Sequence, residues 1–259
     1  MSDKEIDKMF QDFEDDIFSK KKKTLHVAFI IDSSGSMGVL RKFVVDIFND
    51  QLEVLKSETD DQLDTKVSIV TFSYPDKINF LRWDDSISDI NPLDMKEYIP
   101  DGNTALFDAI GKTLTKLQEL PDVEEKTTSF LVNIITDGQE NASRIYNLSQ
   151  IRGRISDLQK TERWTITYYG TEPEKIQEEM DMFLSNTYKF DNRAMANGLY
   201  NVTLTNATKS YMADIKSGKG YSANFYGKPI DGFYGEEEKE EKKKFFQTHF
   251  QTTKDEEVK

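Results

Sequence analysis

The chain has 259 residues and a formal net charge of −13 at pH 7. That length suits one large α/β domain with some additions, and the acidic balance argues against nucleic acid as a partner, because phosphate backbones are bound by clustered Lys and Arg. The sequence contains no cysteine, which excludes disulfides, a thiol nucleophile, thiolate zinc sites and iron–sulfur clusters.

Targeting signals are also missing from the sequence. The first residues do not pair a basic segment with an apolar core, as a secretory signal would. No run of about 18 apolar residues occurs that could span a membrane. We therefore expect a cytoplasmic protein without a membrane partner.

Residues 1–23 form an acidic, amphipathic segment. Five apolar residues recur at helical spacing and predict a helix with one apolar stripe: Ile6, Met9, Phe10, Phe13 and Ile17. Lysines at 20–23 suit the negative end of such a helix. We predict a helix docked on the following domain, and a docking segment for a partner is the alternative.

Residues 24–216 alternate between strand and helix patterns. Continuous apolar runs indicate strands buried on both faces, whereas the alternation over 77–83 indicates a hairpin or edge strand. The predicted strands are 26–31, 65–72, 77–83, 129–136, 164–170 and 186–190. The predicted helices are 38–56, 104–120, 148–161, 173–184 and 193–216. This order predicts an α/β fold, with an open, mostly parallel sheet of about six strands and helices on both faces.

The last part of the chain departs from this rhythm. Residues 217–235 are rich in glycine and aromatic residues and predict a surface strap or linker whose aromatic side chains pack back onto the domain. A recognition motif is the alternative. Residues 236–259 are highly charged and predict a flexible tail that begins with a short solvated helix.

Oxygen-bearing side chains follow three predicted elements. Asp32, Ser34 and Ser36 come directly after the first strand, Asp101-Gly102-Asn103-Thr104 precedes a helix, and Thr136-Asp137-Gly138 follows the third buried strand. Each group alone could be a helix cap or a turn. Together they place hydroxyls and carboxylates from three loops at one edge of the sheet, where open α/β sheets bind ligands.

These residues resemble the complete metal-ion-dependent adhesion site of von Willebrand factor type A domains. The resemblance covers roughly residues 24–216, and the stretches 102–111 and 136–144 are similar to those of small bacterial and phage members. It implies that the hydroxyls of Ser34, Ser36 and Thr104 lie on the metal, Thr104 directly or through water. It also implies that Asp32 and Asp137 hold coordinated waters.

The residue types predict which ion would bind. Oxygen ligands without His or Cys select Mg²⁺, with Mn²⁺ or Ca²⁺ possible, over zinc or copper. If neutral hydroxyls make the direct contacts, the ion keeps much of its charge and an open position filled by water. A partner's Asp or Glu can replace that water, so we expect a protein ligand that presents a carboxylate. The expected rim for that partner is Ser33, Met37, Asn103, Gln139 and Glu140.

Sequence features favour binding over catalysis. The chain has two histidines, His26 and His249, and neither lies in the three loops. No phosphate-binding loop or nucleophile-elbow motif occurs. A metal-dependent phosphohydrolase with Asp32 as nucleophile is the enzymatic alternative, but Ser34 stands where such sites usually carry a second carboxylate. Two non-enzymatic alternatives remain: a structural or virion-associated protein, and a metal that only clamps the fold.

Overall fold

The structure is a computed structural model, and it describes residue 6 and residues 21–137, 140–170, 186–189, 199–220 and 225–226. Two units can be distinguished, Met1–Phe225 and Tyr226–Lys259. Only Tyr226 of the second unit is among the described residues. The architecture below is therefore that of the first unit.

A six-stranded sheet forms the centre of the fold. Its strands are β1 (Lys23–Asp32), β2 (Leu63–Phe72), β3 (Ile78–Ser86), β4 (Thr128–Ile135), β5 (Trp164–Gly170) and β6 (Asn186–Lys189). Their order is β3-β2-β1-β4-β5-β6, and every pairing is parallel except that of β2 with the edge strand β3. The chain crosses over to either side of β1, so the carboxyl ends of β1 and β4 flank a topological switch point. The predicted sheet is confirmed.

Helices cover both faces of the sheet, as predicted. The helices are α1 (Arg41–Glu58), α2 (Leu106–Gln118), α3 (Leu148–Gln159) and α4 (Leu199–Lys216), and a 3₁₀ turn (Gly35–Leu40) precedes α1. α2 and α3 share a core with Ala28, Ile30 and the alternate residues of β4 and β5. The other face of β1 packs on α1, where the rings of Phe29 and Phe48 meet edge to face at 5.0 Å. Because both faces are covered, the central strands are buried at nearly every position. Some of their buried residues are polar, such as Thr65, Asn133 and Thr167.

The element ends differ from the predictions by a few residues. β1 begins at Lys23, whose side chain is buried and donates to the Lys21 carbonyl at 2.9 Å. The prediction that Lys23 belongs to the preceding helix is therefore wrong, because hydrogen bonding to the neighbouring strands extends β1 beyond its apolar run. α2 begins at Leu106 and not at residue 104, which leaves Thr104 in the loop.

Other predictions fall partly or wholly outside the described residues. These are most of segment 1–23, the helix over 173–184, the start of the helix over 193–216, most of the strap and the whole of the tail. Within the strap, Phe225 is buried and its ring lies 5.5 Å from that of Tyr211 in α4. Its backbone N–H donates to the Asn186 side chain at 2.6 Å. An aromatic residue of the strap therefore packs on the domain.

Candidate metal centre

The first of the three loops begins with a buried carboxylate. Asp32, the last residue of β1, is fully buried. Its Oδ1 accepts from the Ser34 backbone N–H at 2.7 Å, and its Oδ2 accepts from the Thr136 hydroxyl at 2.6 Å. Asp32 is thereby fixed in one orientation, between its own loop and the loop that follows β4.

The ionisation of Asp32 is sensitive to what lies beside it. Burial raises the pKa of the Asp32 carboxyl to about 6, although the hydrogen bonds from Thr136 and Ser34 oppose the shift, and the negative charge of Asp137 adds to it. A divalent cation beside this carboxyl would favour its ionised form. The hydrogen bonds from Ser34 and Thr136 offset the desolvation of the Asp32 carboxyl only in part, so a positive ligand there would stabilise its charge further.

Two serine hydroxyls follow Asp32 in the first loop. Ser34 Oγ and Ser36 Oγ are 3.1 Å apart, and Ser36 Oγ donates to Asp137 Oδ1 at 2.8 Å. Ser34 is buried, Ser36 is exposed and Asp137 is half-buried. These contacts connect the buried Ser34 hydroxyl to oxygens that reach solvent.

Thr104 comes from the second loop and is 3% exposed. Its backbone N–H donates to Asn141 Oδ1 at 2.9 Å, and its carbonyl accepts from the Asn141 N–H at 3.0 Å. The next backbone N–H, that of Ala105, donates to the Ser73 carbonyl at 2.8 Å. The main chain around Thr104 is therefore held from two sides.

Backbone contacts also join the first and second loops. Gly35 N–H donates to the Gly102 carbonyl at 3.0 Å, and Asp101 N–H donates to the Ser33 carbonyl at 2.7 Å. Gly102 has a φ of +89°, a conformation that glycine adopts without strain. With the Ser36–Asp137 and Thr104–Asn141 contacts, each loop is bonded to the other two. The structure thus brings together the three loops that the sequence predicts to meet.

The donor set fits a hard divalent cation. It consists of two carboxylates and three hydroxyls, Asp32, Asp137, Ser34, Ser36 and Thr104, all oxygen ligands of the kind Mg²⁺ and Mn²⁺ take. Neighbouring ligands of an octahedral Mg²⁺ are about 2.9 Å apart, close to the 3.1 Å between the Ser34 and Ser36 hydroxyls. Among the described residues no group of three or more His, Cys, Asp and Glu side chains is suited to a metal.

The predicted rim is only partly accessible. Met37 is fully buried, so its assignment to the partner-binding rim is wrong. The 3₁₀ turn carries its side chain into the core. Ser33 is largely buried as well, and its hydroxyl donates to the Phe72 carbonyl at 2.9 Å, so this hydroxyl faces β2 and not a partner.

The remaining rim residues have different surroundings. Asn103 is exposed beside Thr104, where a partner can reach it. Glu140 is half-buried, and both of its carboxylate oxygens accept hydrogen bonds from the protein itself. Gln139 lies outside the described residues.

Two residues of the centre were not predicted from the sequence, Tyr98 and Asn141. The Tyr98 hydroxyl donates to the Asp32 carbonyl, and the Asn141 side chain holds the Thr104 main chain. Tyr98 lies in an irregular connection without a periodic pattern. Asn141 falls within the stretch 136–144, which is the one sequence signal that could have indicated it.

The fold is similar to solved structures that share little sequence with it. One is the pilus adhesin SpaC from Lactobacillus rhamnosus GG in an open conformation, with a TM-score of 0.50 and 11% identity, over 76% of this chain and 30% of that chain. A second is von Willebrand factor type A from Catenulispora acidiphila, with a TM-score of 0.45 and 14% identity, over 75% of this chain and 43% of that chain. A third is manganese-loaded Plasmodium vivax TRAP protein, with a TM-score of 0.45 and 17% identity, over 67% of this chain and 71% of that chain.

These likenesses concern the fold alone, because every identity is low. The observed sheet, mostly parallel with helices on both faces, is the α/β architecture that the sequence predicts. The chain spans less than half the length of the adhesin and of the Catenulispora protein. No protein-family model and no curated protein matches the sequence. Within the described part of the chain, no helix is long and apolar enough to cross a membrane.

Proposed function

We propose that this protein is a divalent-cation-dependent binding module that captures a carboxylate of a partner protein. One observation carries the proposal: three loops, bonded to one another, converge at the carboxyl ends of β1 and β4 and carry carboxylate and hydroxyl side chains there. Mg²⁺ is the proposed ion, and Mn²⁺ is the proposed substitute in measurements.

The gradient of burial supports partner capture. Asp32, Ser34 and Thr104 lie beneath the surface, whereas Ser36 and Asp137 reach solvent. A cation held by this set would have protein oxygens on its inner side and water on its outer side. An Asp or Glu of a partner can replace that water and bring its negative charge to the cation, a contact strengthened by the partly dry surroundings.

A binding role accounts for the residues better than an enzymatic one. Ser34 occupies the position two residues after Asp32, where a phosphoryl-transfer site would usually want a second acid. His26 lies near the start of β1, about 20 Å from Asp32 at the rise of a β-strand. Both of its ring nitrogens contact carboxylates there, those of Asp84 and Asp122. Neither Ser34 nor His26 therefore supplies a general base to the metal centre.

Metal titration tests the first half of the proposal. Calorimetry on metal-stripped protein should give one Mg²⁺ or Mn²⁺ site per chain, and Asp32→Ala and Ser34→Ala should lose it. Ser57→Ala is a matched control, because the Ser57 hydroxyl donates to the Val54 carbonyl in α1 and lies in none of the three loops. Metal at a hundred times its Kd should stabilise the parent by about 2.7 kcal/mol. Binding by both variants as tight as that of the parent would refute the site.

Affinity capture tests the second half of the proposal. Partners taken from the native host with Mg²⁺ should be released by EDTA and should not bind Asp137→Ala. Changing the partner's contacting Asp to Asn, or its Glu to Gln, keeps the shape and removes the anionic oxygen, so it should abolish binding. A partner that is indifferent both to EDTA and to Asp137→Ala would reduce the metal to a fold clamp.

A further inference from the structure

Residues 140–146, which we call the clamp loop, are organised by two carboxylates. Glu140 supplies the first of them. Its Oε1 accepts from the backbone N–H groups of Ala142 at 2.8 Å and Ser143 at 2.6 Å. Its Oε2 accepts from the Phe107 N–H in α2 at 2.9 Å and from the Ser143 hydroxyl at 2.6 Å. Glu140 thus closes the loop on itself and ties it to the first turn of α2.

Asp108 of α2 supplies the second carboxylate and is fully buried. Its Oδ2 accepts from the Arg144 N–H at 2.9 Å, and its Oδ1 accepts from the N–H groups of Ile145 at 2.9 Å and Tyr146 at 2.8 Å. Its own N–H donates to the Ser143 hydroxyl at 3.0 Å. Hydrogen bonds to a carboxylate are stronger than neutral ones, so the clamp loop is a rigid extension of α2.

Asn141 is the residue of this rigid loop that reaches the metal centre. Its side chain accepts from the Thr104 N–H at 2.9 Å, and its own N–H donates to the Thr104 carbonyl at 3.0 Å. These two hydrogen bonds, one on each side of the Thr104 Cα, fix the main chain of Thr104. A threonine side chain is stiff about its first torsion, so a fixed main chain leaves the Thr104 hydroxyl few positions.

We infer that Asn141 is a positioning residue for the cation, holding Thr104 in the geometry that metal ligation needs, with Glu140 and Asp108 anchoring the clamp loop behind it. The inference rests on the proposed function, because it assigns Asn141 a task only if a metal binds at Thr104. It also gives Glu140 a different role from the partner contact expected from the sequence. The Glu140 carboxylate is engaged by four donors of the protein and acts through the loop.

Asn141 suits a substitution test, because it is exposed and fills no core. Asn141→Ala removes the acceptor for the Thr104 N–H and leaves the backbone bond between the two residues in place. Asn141→Asp keeps an acceptor oxygen and adds a negative charge near the cation. Asn147→Ala is the matched control, because Asn147 Oδ1 also accepts one backbone N–H, that of Gln150 at 3.0 Å, but caps α3.

Mn²⁺ affinity and unfolding free energy are measured together on these variants. We expect Asn141→Ala to raise the Kd for Mn²⁺ on the order of tenfold, the usual size of an effect behind a metal ligand. Asn141→Asp should restore or exceed the parent affinity. Asn147→Ala should lose stability and keep the parent Kd. An Asn141→Ala Kd equal to that of the parent overturns the inference and leaves the proposed function standing.

Amide exchange of Thr104, measured without added metal, separates the two possible failures. The Thr104 N–H should exchange faster in Asn141→Ala than in the parent, and an unchanged rate overturns the clamp itself. If the exchange rate rises but the parent binds no Mn²⁺, the proposed function fails. The assignment of Asn141 to a cation then fails with it.

Discussion

The hydroxyl of Tyr98 donates a hydrogen bond to the backbone carbonyl of Asp32, 66 residues away in sequence. Tyr98 is fully buried, and its own carbonyl accepts from Arg41 Nε at 2.7 Å. The connection between β3 and α2 is thereby fastened both to α1 and to the first residue of the metal motif. This connection leads directly into the loop that carries Thr104. Tyr98 therefore joins the loop of Asp32 to the segment that precedes the loop of Thr104.

Tyr98→Phe should therefore affect both stability and metal binding. The change leaves the ring in place and removes the donor to Asp32, and the loss of a buried hydrogen bond costs about 1–3 kcal/mol. We expect a lower unfolding free energy in denaturant titrations and weaker Mn²⁺ binding by calorimetry. Tyr211→Phe is the control, since the buried Tyr211 hydroxyl donates to the Gly220 carbonyl at 3.3 Å, outside the three loops. Equal Mn²⁺ affinities for parent and Tyr98→Phe would show that this contact is only structural.

Gly102→Ala should distort the second loop. At its φ of +89° a side chain is strained, and an added Cβ would lie 2.2 Å from the Tyr74 ring. We expect a loss of about 1–3 kcal/mol in unfolding free energy, together with weaker Mn²⁺ binding because Gly102 precedes Thr104 closely. Gly153→Ala in α3 should instead keep or raise the unfolding free energy. Nothing lies within 4 Å of its added Cβ, and alanine is more favourable than glycine inside a helix. A Gly102→Ala protein as stable as the parent would contradict the strained conformation.

Phe130→Ala should be among the most destabilising core changes. Phe130 is fully buried in β4 and stacks on the Trp164 ring at 3.9 Å and on the His26 ring at 5.2 Å. We expect a loss of about 3–5 kcal/mol, against about 0.5–1.5 kcal/mol for Ile134→Val in the same strand. Denaturant unfolding monitored by Trp fluorescence measures both. Similar small losses for the two variants would mean that β4 is not central to the core.

His26 gives the protein a pH-dependent stability. Its Nδ1 contacts Asp84 at 2.6 Å and its Nε2 contacts Asp122 at 2.9 Å. Burial opposes the charged ring, but the hydrogen bonds and charges of Asp84 and Asp122 outweigh burial and raise the pKa of His26 above its ordinary value of 6.5. The interaction of the protonated His26 ring with Asp84 and Asp122 therefore stabilises the fold fully below pH 6.5. This stabilisation is lost as pH rises through the raised pKa of His26.

The pH dependence can be measured as the difference between two curves. The unfolding free energy of metal-free parent, minus that of His26→Gln, should fall as pH rises above 6.5. The subtraction removes the separate effect of Asp32, which is common to both proteins. If the variant does not fold, NMR titration of the His26 ring in the parent gives the same answer. A midpoint at or below 6.5 would contradict the prediction.

The strands and the metal loops could be predicted from sequence for a local reason. Strands covered on both faces are rich in apolar residues, so β1, β2, β4 and β5 are visible in the sequence as apolar runs. The end of such a run marks one edge of a parallel sheet. Asp32 and Asp137 could therefore be placed together, although 105 positions separate their numbers, because topology fixes where parallel strands end.

The contacts that shape the centre depended on tertiary structure. The burial of Met37, the hydrogen bond from Tyr98 to Asp32 and the engagement of Glu140 have no periodic signal. Each depends on which irregular segments pass over the sheet edge, and a loop's path is set by the side chains and backbone groups that it meets and not by its own pattern. The sequence by itself determined the types of candidate oxygen ligand and the edge of the sheet at which they lie. Only the packing of the loops decided which polar groups face the candidate cation site and which hold the candidate ligands in place, because a buried donor or acceptor must find its partner wherever the fold provides one.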